Sequence, residues 1–511
     1  MKVRFWPPLA LLLLTFGLSL APATPRTPRG APTLLPYGLR VPTSTDADAP
    51  DLAQTDSDPM GQEGSGGRAV AHYAGGEIIR SRAITKKAPD ARLYRAGFTT
   101  HEPTMGITES GAIFFVGQQD LNPNSRIIRS LDGGATWELI FTHPITADPY
   151  FYVDPDTSRI FTVDLQTTSC HLLSYSDDDG ENWTTSPPIG CGFNHDHQTL
   201  FSGPPPENGP KPTGYPKVVY LCSAGFAATA FAAVESVCSK SLDGGDTFLP
   251  TRSPSFIDDP SYNGENGLPG LCGGLHGHGF VGPDGRVFIP KGWCGQPWLA
   301  FSDDEGDSWS RVQVAENGMP CCGSFFGVDQ LFTHEAAVVS DADGNVYYSW
   351  VAADRLLYLA ISRDGGDTWD KPLMIGSPGV NEALLPSMAI GDEGRIAVHY
   401  MGTSTSPWNG TEADGSYDET SWNSYVTITT NALAKKPVFY SATINDPKEP
   451  LWVGACGPDP ERCNWGDFFD VIVDRDGTPW SVAVDLCVDE CRGDLLGEAI
   501  IGRLVGGAPL R

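Results

Sequence analysis

Residues 362–369 read SRDGGDTW, and four earlier octapeptides repeat the same arrangement of Ser, Asp, Gly and a terminal aromatic residue. The five copies are SLDGGATW at 130–137, SDDDGENW at 176–183, SLDGGDTF at 241–248, SDDEGDSW at 302–309 and SRDGGDTW at 362–369. They begin 46, 65, 61 and 60 residues apart, a period typical of propeller blades joined by loops of unequal length. Asp and Gly favour a tight turn, and the aromatic residue supplies a large apolar anchor. The repeats therefore predict an all-β propeller in which each octapeptide is a turn that locks neighbouring blades together.

A second repeat, a hairpin with a turn that contains Gly, precedes the octapeptides and fixes the number of blades. It occurs twice more without an intact octapeptide, as SMAIGDEGRIAVHYMG at 387–402 and DVIVDRDGTPWSVAVDL at 470–486. We therefore predict seven blades, five with intact and two with degenerate octapeptides; a six-bladed propeller is the alternative. The last blade lacks an outer strand, and we expect GEIIRSR at 76–82 to supply it, so the propeller domain spans residues 76–505.

The N-terminal residues predict export. Lys2 and Arg4 precede an apolar run at 9–20 and a small-residue site, the pattern of a signal peptide at 1–23. Residues 24–75 are rich in Pro, Asp and Gly and predict a disordered linker. The apolar run is too short to span a bilayer comfortably, so we expect a secreted protein with no membrane insertion.

The chain has 12 cysteines and a formal net charge of −29. In an exported protein an even number of cysteines favours disulfides. Short loops are possible for Cys456 with Cys463 and for Cys487 with Cys491, and a zinc site at Cys321 and Cys322 is the alternative to disulfides there. The other cysteines have several possible partners: Cys170, Cys191, Cys222, Cys238, Cys272 and Cys294. The negative charge disfavours nucleic acid and anionic membranes as partners.

The octapeptides resemble Asp boxes, also called bacterial neuraminidase repeats (BNR), which occur in sialidases and in many other secreted propellers. The resemblance covers roughly residues 77–504 and implies a glycan or glycoconjugate as the partner. A sialidase would carry an Arg triad for the substrate carboxylate and an Arg-Ile-Pro-like motif before the first box. This chain has LYRAGF there, with Arg95 but no Ile-Pro, and seven predicted blades instead of the usual six.

Blade geometry predicts that the chemistry lies on the face opposite the octapeptides, where each outer strand leads to the next inner strand. The windows there are THEPT, TADPY, NHDHQ, LHGHG, THEAA and NWGDF, and they hold six of the ten histidines, His195 among them. Converging on one axis, such groups suit general acid–base catalysis or a divalent cation at the propeller axis. The predicted catalytic residues are His101, Glu102, Asp148, Asp196, His197, His276, His278, His334, Glu335 and Asp467.

Three residues from other loops of that face are predicted to bind substrate: Arg126, Arg355 and Trp422. Arg462 could join the two arginines around a carboxylate. The expected function is a secreted glycoside hydrolase or polysaccharide lyase. The alternatives are a glycan- or protein-binding propeller without catalysis, and an exo-α-sialidase with a divergent Arg triad.

Overall fold

The computed structural model describes residues 70–72, 77–79, 89–119, 124–143, 149–166, 169–192, 194–226, 233–254, 276–293, 296–316, 336–352, 354–404, 420–453, 469–487 and 497–511. These residues form seven antiparallel sheets, each a meander that starts at an inner strand. The seven-bladed, all-β propeller predicted from the repeats is therefore confirmed, and the six-bladed alternative is wrong. In the described ranges no helix is long and apolar enough to cross a membrane.

Blades 1 to 4 follow the chain from inner to outer strand. Blade 1 comprises β4 Met105–Ile107, β5 Ile113–Gln119, β6 Asn124–Ser130 and β7 Thr136–Thr142, with β1 Val70–His72 at its outer edge. Blade 2 comprises β8 Pro149–Val153, β9 Ile160–Gln166, β10 Cys170–Ser176 and β11 Thr184–Thr185. Blade 3 comprises β12 Asn194–Gly203, β13 Val218–Phe226, β14 Ala233–Ser241 and β15 Leu249–Pro250. Blade 4 comprises β16 Phe280–Val281, β17 Val287–Trp293, β18 Gln296–Ser302 and β19 Ser310–Gln313.

Blades 5 to 7 complete the ring. Blade 5 comprises β20 Ala336–Ser340, β21 Val346–Val351, β22 Leu357–Ser362 and β23 Leu373–Met374. Blade 6 comprises β24 Glu382–Ile390, β25 Ile396–Thr403, β26 Ser421–Thr429 and β27 Tyr440–Thr443, and β28 Trp452–Val453 also pairs with β26. Blade 7 comprises β29 Asp470–Val473, β30 Pro479–Asp485, β31 Gly497–Val505, β3 Asp90–Thr100 and β2 Glu77–Ile79. Each inner strand contacts the inner strand of the next blade, and β29 contacts β4.

The closing strand differs from the expected one. The fourth strand of blade 7 is β3, which pairs with β31, whereas the segment that begins at Gly76 supplies only the fifth strand, β2. Blade 7 therefore joins the two ends of the propeller. The predicted signal peptide lies outside the described residues, as does the predicted linker apart from β1, and both stay predictions.

The octapeptides form the turns between the third and fourth strands, as their composition predicts. At 362–369, the Oγ of Ser362 accepts the Gly366 N–H at 2.8 Å, and Asp364 accepts the Thr368 N–H at 2.9 Å and its hydroxyl at 2.5 Å. Equivalent bonds occur in the other four copies. The terminal aromatic residue packs in the core against the preceding blade, as Trp183 does by stacking on Phe141.

Blade cores are apolar and two disulfides reinforce them. Seven clusters of buried hydrophobic residues fill the spaces between adjacent blades. Cys222 and Cys238 are directly opposite on β13 and β14 and form a disulfide, and Cys170 is bonded to Cys191. Cys487 is also disulfide-bonded. The cysteines of the zinc alternative, Cys321 and Cys322, lie outside the described residues.

Candidate functional site

The candidate site lies where the inner strands begin, on the face opposite the octapeptide turns. Because each blade is an antiparallel meander, the connection into each inner strand leaves from this face. Six of the ten predicted catalytic residues are described there: His101, Glu102, Asp196, His197, His276 and His278. The remaining four lie outside the described residues: Asp148, His334, Glu335 and Asp467. The described members of the site lie between β3 and β4, on β12 of blade 3 and just before β16 of blade 4.

A β-bulge at the start of blade 3 sets the position of His197. The pairing of β12 with β13 shifts register between Asp196 and Thr199. Within this bulge His197 has a φ of 52°, a left-handed conformation that is uncommon for a residue with a side chain. Bulges re-aim side chains and occur next to active sites. The bulge leaves the His197 side chain buried, while Asp196 is half-buried and accepts the His197 N–H at 3.0 Å.

Two glycines explain the pattern of LHGHG before β16. A Cβ on Gly277 would overlap the backbone oxygen of Ala336 in blade 5, and a Cβ on Gly279 would overlap the ring of Phe201 in blade 3. Only glycine permits this close approach of the backbone to both neighbouring blades. The backbone that carries His276 and His278 therefore packs closely against blades 3 and 5.

His276 is fully buried and bonded on one side only. Its Nδ1 lies 2.9 Å from the Oγ of Ser236, and its backbone forms a bridge with that of Lys291 on β17. Among the described residues, Nε2 of His276 is buried and has no hydrogen-bond partner. The ring is therefore fixed in orientation while one nitrogen keeps its capacity to accept or donate a proton.

Five ionisable side chains interact here and are called the His cluster: Asp196, His197, His276, His278 and Lys291. The rings of His197 and His276 have centroids 5.9 Å apart in an edge-to-face arrangement. The half-buried ring of His278 contacts that of Tyr150 at 5.2 Å. Lys291 is a charged residue on a strand that is otherwise mostly apolar, and it has no solvent exposure.

Burial and neighbouring charge lower the pKa values of His276 and His278. Burial lowers the pKa of His278 to about 3, and His197 acts in the same direction. The pKa of His276 is well below its usual value because of burial, reinforced by charge on His197 and Lys291. The pKa of the Asp196 carboxyl is raised by burial, an effect that His197 opposes. The cluster therefore combines neutral bases with an acid whose proton is held more tightly than in water.

Among the residues that the structure describes, no group of three or more His, Cys, Asp or Glu side chains is arranged to hold a metal ion. His334 and Glu335, which precede β20, fall outside those residues. A divalent cation at the axis stays a prediction.

Blades 7 and 1 contribute a second group of carboxylates. Glu102 is buried with a φ of 50°, and its Oε2 lies 3.7 Å from Nδ1 of His101. At the first position of β29, Asp470 accepts the Met105 N–H at 3.2 Å, and burial raises the pKa of its carboxyl to about 7. A carboxyl with this pKa exchanges its proton near neutral pH, as a general acid–base catalyst must.

The predicted substrate-binding residues occupy three different environments. Arg126 on β6 is 5% exposed, and burial lowers its pKa. Arg355 lies in the loop after β21 with a φ of 66° and is partly exposed. Trp422 on β26 is 1% exposed and packs in the core between blades 6 and 7. The geometry shows no convergence of these three, so their contact with substrate stays a prediction.

Arg95 of LYRAGF has partners within blade 7. It forms ion pairs of 2.8 Å with Asp485 and with Glu498. Burial lowers the Arg95 pKa, but the two carboxylates outweigh burial and raise it. The charge of Arg95 is therefore paired with two carboxylates of blade 7.

Other buried histidines bond to serine outside the His cluster. His143 contacts Asp164 through Nδ1 and lies 2.8 Å from Ser174 Oγ through Nε2. His399 lies 2.8 Å from Ser424 Oγ. The hydroxyl of Ser223 is shared by two histidines of blades 2 and 3: His171 at 3.2 Å and His195 at 2.8 Å. His–Ser pairing is thus a general device for satisfying buried polar groups in this propeller.

Sequence reasoning missed Lys291, Ser236 and Asp470. A lysine in the mostly apolar run VFIPKGW was a signal for a buried cation, but the run alone does not say which side chains meet it. Asp470 stands three residues after the predicted Asp467, and only the start of β29 distinguishes the two.

No protein-family model and no curated protein sequence matches the chain. Among solved structures, a Dyadobacter fermentans protein of unknown function is 15% identical over 85% of this chain and 98% of its own, with a TM-score of 0.43. The Penicillium chrysogenum α-L-arabinanase complexed with arabinobiose is 14% identical, covering 75% and 99%, with a TM-score of 0.38. The six-bladed fucose-recognising lectin of Aleuria aurantia is 14% identical, covering 67% and 94%, with a TM-score of 0.39. Identities and TM-scores this low assign neither a family nor a substrate to this chain.

Proposed function

We propose that this chain is an exported propeller of the Asp-box group that acts on a glycan at the face opposite the octapeptides, as a glycoside hydrolase or a polysaccharide lyase. The observation that carries the proposal is the placement of His197. The bulge holds this residue in a left-handed conformation beside His276 and His278. A non-glycine residue in that region costs about 1 to 3 kcal/mol, and such costs concentrate at functional sites.

The chemistry of the His cluster suits proton transfer to a glycan. A neutral imidazole accepts a proton from a sugar carbon or from water, and a protonated Asp196 or imidazole returns one to the leaving oxygen. Of the cluster residues in contact, His278 and Asp196 are partly exposed and so reachable by a substrate. We assign them the direct roles, and we assign His276 and Lys291 the positioning of the others.

An acidic glycan fits this arrangement better than a neutral one. Lys291 is fully buried beside His276, and its positive charge helps to lower the pKa of that imidazole. A substrate carboxylate beside them would raise the pKa of the imidazoles toward the working pH, because an opposite charge favours the protonated form. Binding of the correct substrate would thereby activate the acid–base groups.

Incubation with a panel of sialosides and uronic-acid polysaccharides tests the activity. New reducing ends without unsaturation indicate hydrolysis, and unsaturated products indicate β-elimination. His278→Ala should lower kcat/KM by about 10²- to 10⁴-fold, the usual contribution of a general acid or base. His399→Ala is the control, because that histidine is also buried among side chains but lies in blade 6, outside the His cluster. Unchanged turnover in a folded His278→Ala variant would refute the catalytic assignment.

The second candidate is a propeller that binds a glycan or a protein without catalysis. Its support is the recurrence of His–Ser pairs at His143, His399 and Ser223, which gives a purely structural reason for buried histidines. Saturable binding of a panel member with no product formed would favour this candidate.

The third candidate, an exo-α-sialidase, requires arginines that hold the substrate carboxylate in a bidentate manner. Arg126 and Arg355 would have to supply them, since Arg95 is paired with Asp485 and Glu498. Release of free sialic acid that is lost in Arg355→Ala but kept in Arg363→Ala would support this function.

A further inference from the structure

The connection between blades 2 and 3 is tied to blade 2 by a disulfide. Residues 186–192 lead from β11, the outer strand of blade 2, toward β12, the inner strand of blade 3. Cys191 in this connection is bonded to Cys170, the first residue of β10. On the same segment Ile189 exchanges two backbone hydrogen bonds of 2.9 Å with His171. The connection is therefore held against blade 2 just before the strand that carries part of the His cluster.

The two disulfides whose cysteines are both described differ in their access to solvent. Cys222 and Cys238 are 0% and 1% exposed. Cys191 is exposed and Cys170 is half-buried. Thiol–disulfide exchange begins with attack of a thiolate on a sulfur atom, so its rate depends on access. A thiol in solution therefore reaches Cys170–Cys191 but not the buried disulfide of blade 3 while the propeller is folded.

The residue before Cys191 supplies an acceptor for a buried histidine. The backbone oxygen of Gly190 lies 2.6 Å from Nε2 of His195. Burial lowers the pKa of His195, so the ring is neutral near pH 7. Because a carbonyl oxygen only accepts, Nε2 carries the proton and Nδ1 is an acceptor. Ser223 therefore donates its hydroxyl proton to Nδ1 of His195 across 2.8 Å.

This order of donors extends to blade 2. Since the proton of Ser223 is committed to His195, its oxygen accepts from Nε2 of His171 across 3.2 Å. The rings of the two histidines have centroids 4.6 Å apart. A chain of hydrogen bonds thus runs from His171 through Ser223 and His195 to the backbone oxygen of Gly190. The position of Gly190 consequently sets the direction of every bond in this chain.

We propose that the Cys170–Cys191 disulfide is a thiol-sensitive lock on the inner strand of blade 3. A dithiol opens it: one thiolate attacks the sulfur of Cys191, Cys170 leaves as a thiolate, and the second thiol of the reagent then displaces Cys191. The reagent gives up two electrons and leaves as a cyclic disulfide, and its two protons end on the two cysteines. Gly190 then loses its covalent tie to blade 2, and His195 loses its fixed acceptor one residue before the register shift that begins at Asp196.

The change in conformation does not depend on the proposed catalysis, whereas its effect on turnover rests on that function. Release of His195 loosens the segment that places Asp196 and His197 in the His cluster. We therefore expect reduction to lower kcat/KM of the proposed reaction about tenfold or more, because misplaced catalytic groups lose rate steeply. Reoxidation should restore the original value.

Alkylation tests which disulfide reacts. The full folded chain is treated with increasing concentrations of dithiothreitol, and free thiols are alkylated and identified by mass spectrometry. We expect Cys170 and Cys191 to be labelled at concentrations that leave Cys222 and Cys238 unlabelled. Labelling of all four cysteines at the same concentration would overturn the proposal.

NMR tests the release of the histidines. The Cε1 proton resonances of His171 and His195, assigned with His171→Gln and His195→Gln, should both shift when the disulfide is reduced. The double variant Cys170→Ser/Cys191→Ser should show the shifted resonances without the reagent and no further shift with it. This comparison separates the lock from the other cysteines of the chain, and the reduced wild type gives the answer without any substitution.

Unchanged resonances of both histidines in protein reduced at Cys170 and Cys191 would also overturn the proposal. Shifted resonances support the lock whether or not a glycan substrate is found. Absence of product from every glycan would refute the proposed function alone, because the alkylation pattern and the resonances are measured without substrate.

Discussion

Acidification from about pH 7 to about pH 5 should destabilise the protein through His399. This side chain has no solvent exposure, and its Nε2 lies 2.8 Å from Ser424 Oγ. Burial alone lowers the pKa of His399 from 6.5 to about 3. Since the unfolded chain binds the proton first, the stabilisation is complete above pH 6.5 and is lost as the pH falls toward 3.

The size of the effect follows from the two pKa values. Between the two pH values the unfolded state gains about 2 kcal/mol relative to the folded state from this one histidine. The remaining buried histidines act in the same direction, whereas Asp470 acts in the opposite one because its folded pKa is raised to about 7. A comparison with a variant at each pH cancels these other groups.

His399→Gln is the variant, since it keeps a polar side chain near Ser424 but cannot be protonated. Its free energy of unfolding in urea, relative to the wild type, should rise by about 2 kcal/mol when the pH falls from about 7 to about 5. A difference between variant and wild type that is the same at both pH values would show that His399 titrates normally in the folded state. The reasoning from burial would then be wrong.

Three further predictions concern the joints between blades, each measured as the free energy of urea unfolding. Asp364→Ala removes the turn acceptor of the fifth octapeptide and should cost about 2 kcal/mol, and a loss below about 0.5 kcal/mol would contradict the turn's role. Gly277→Ala should lower the free energy of unfolding by about 3 kcal/mol or more, because the added Cβ overlaps the next blade. Gly376→Ala is the control, since its Cβ would have no atom nearer than 3.8 Å, and it should change stability by under about 1 kcal/mol. Equal effects of the two variants would refute the packing argument. Lys240→Met leaves Glu305 buried without its ion pair at 3.0 Å and should lower the free energy of unfolding by about 3 to 5 kcal/mol. Adding Glu305→Leu in the double variant should recover most of that loss. An unchanged free energy of unfolding in Lys240→Met would show that the pair contributes nothing.

The blade architecture was predictable because its signals are local. Each octapeptide carries its own turn acceptor, its own glycine and its own anchor, so eight residues suffice to recognise the turn. Counting these turns together with the hairpins before them gives seven blades without knowledge of any long-range contact. The histidine windows were also local, because they precede inner strands.

The closure of the propeller ring and the meeting of the histidine side chains were not predictable, since both depend on contacts between residues far apart in the sequence. Arg95 on β3 bonds Glu498 on β31 across 403 positions of sequence. Strand-like composition marks both β2 and β3, but it does not say which of them pairs with β31. Likewise, nothing near His276 in the sequence shows that its ring meets His197 and that Lys291 is buried beside them.

Backbone conformation separates the two faces of the propeller more sharply than composition does. Seven non-glycine residues in the described ranges have a positive φ, and three of them lie in turns on the octapeptide face: Ser158, Asp179 and Glu305. Asp179 and Glu305 stand at the fourth octapeptide position, where the other copies have glycine, so the turn itself requires that conformation.

The remaining four lie on the opposite face: Glu102, His197, Arg355 and Leu385. Arg355 closes a hairpin turn by donating its N–H to Ala352 O at 2.8 Å, in the position that Gly344 holds in the turn of blade 5, so the turn accounts for its conformation. Leu385 accompanies a register shift in β24 like the one that holds His197 in β12. Glu102 and His197 are residues that the sequence singled out for their chemistry, and a left-handed conformation that no repeated turn requires, at residues able to move protons, is the physical reason to seek the substrate on this face.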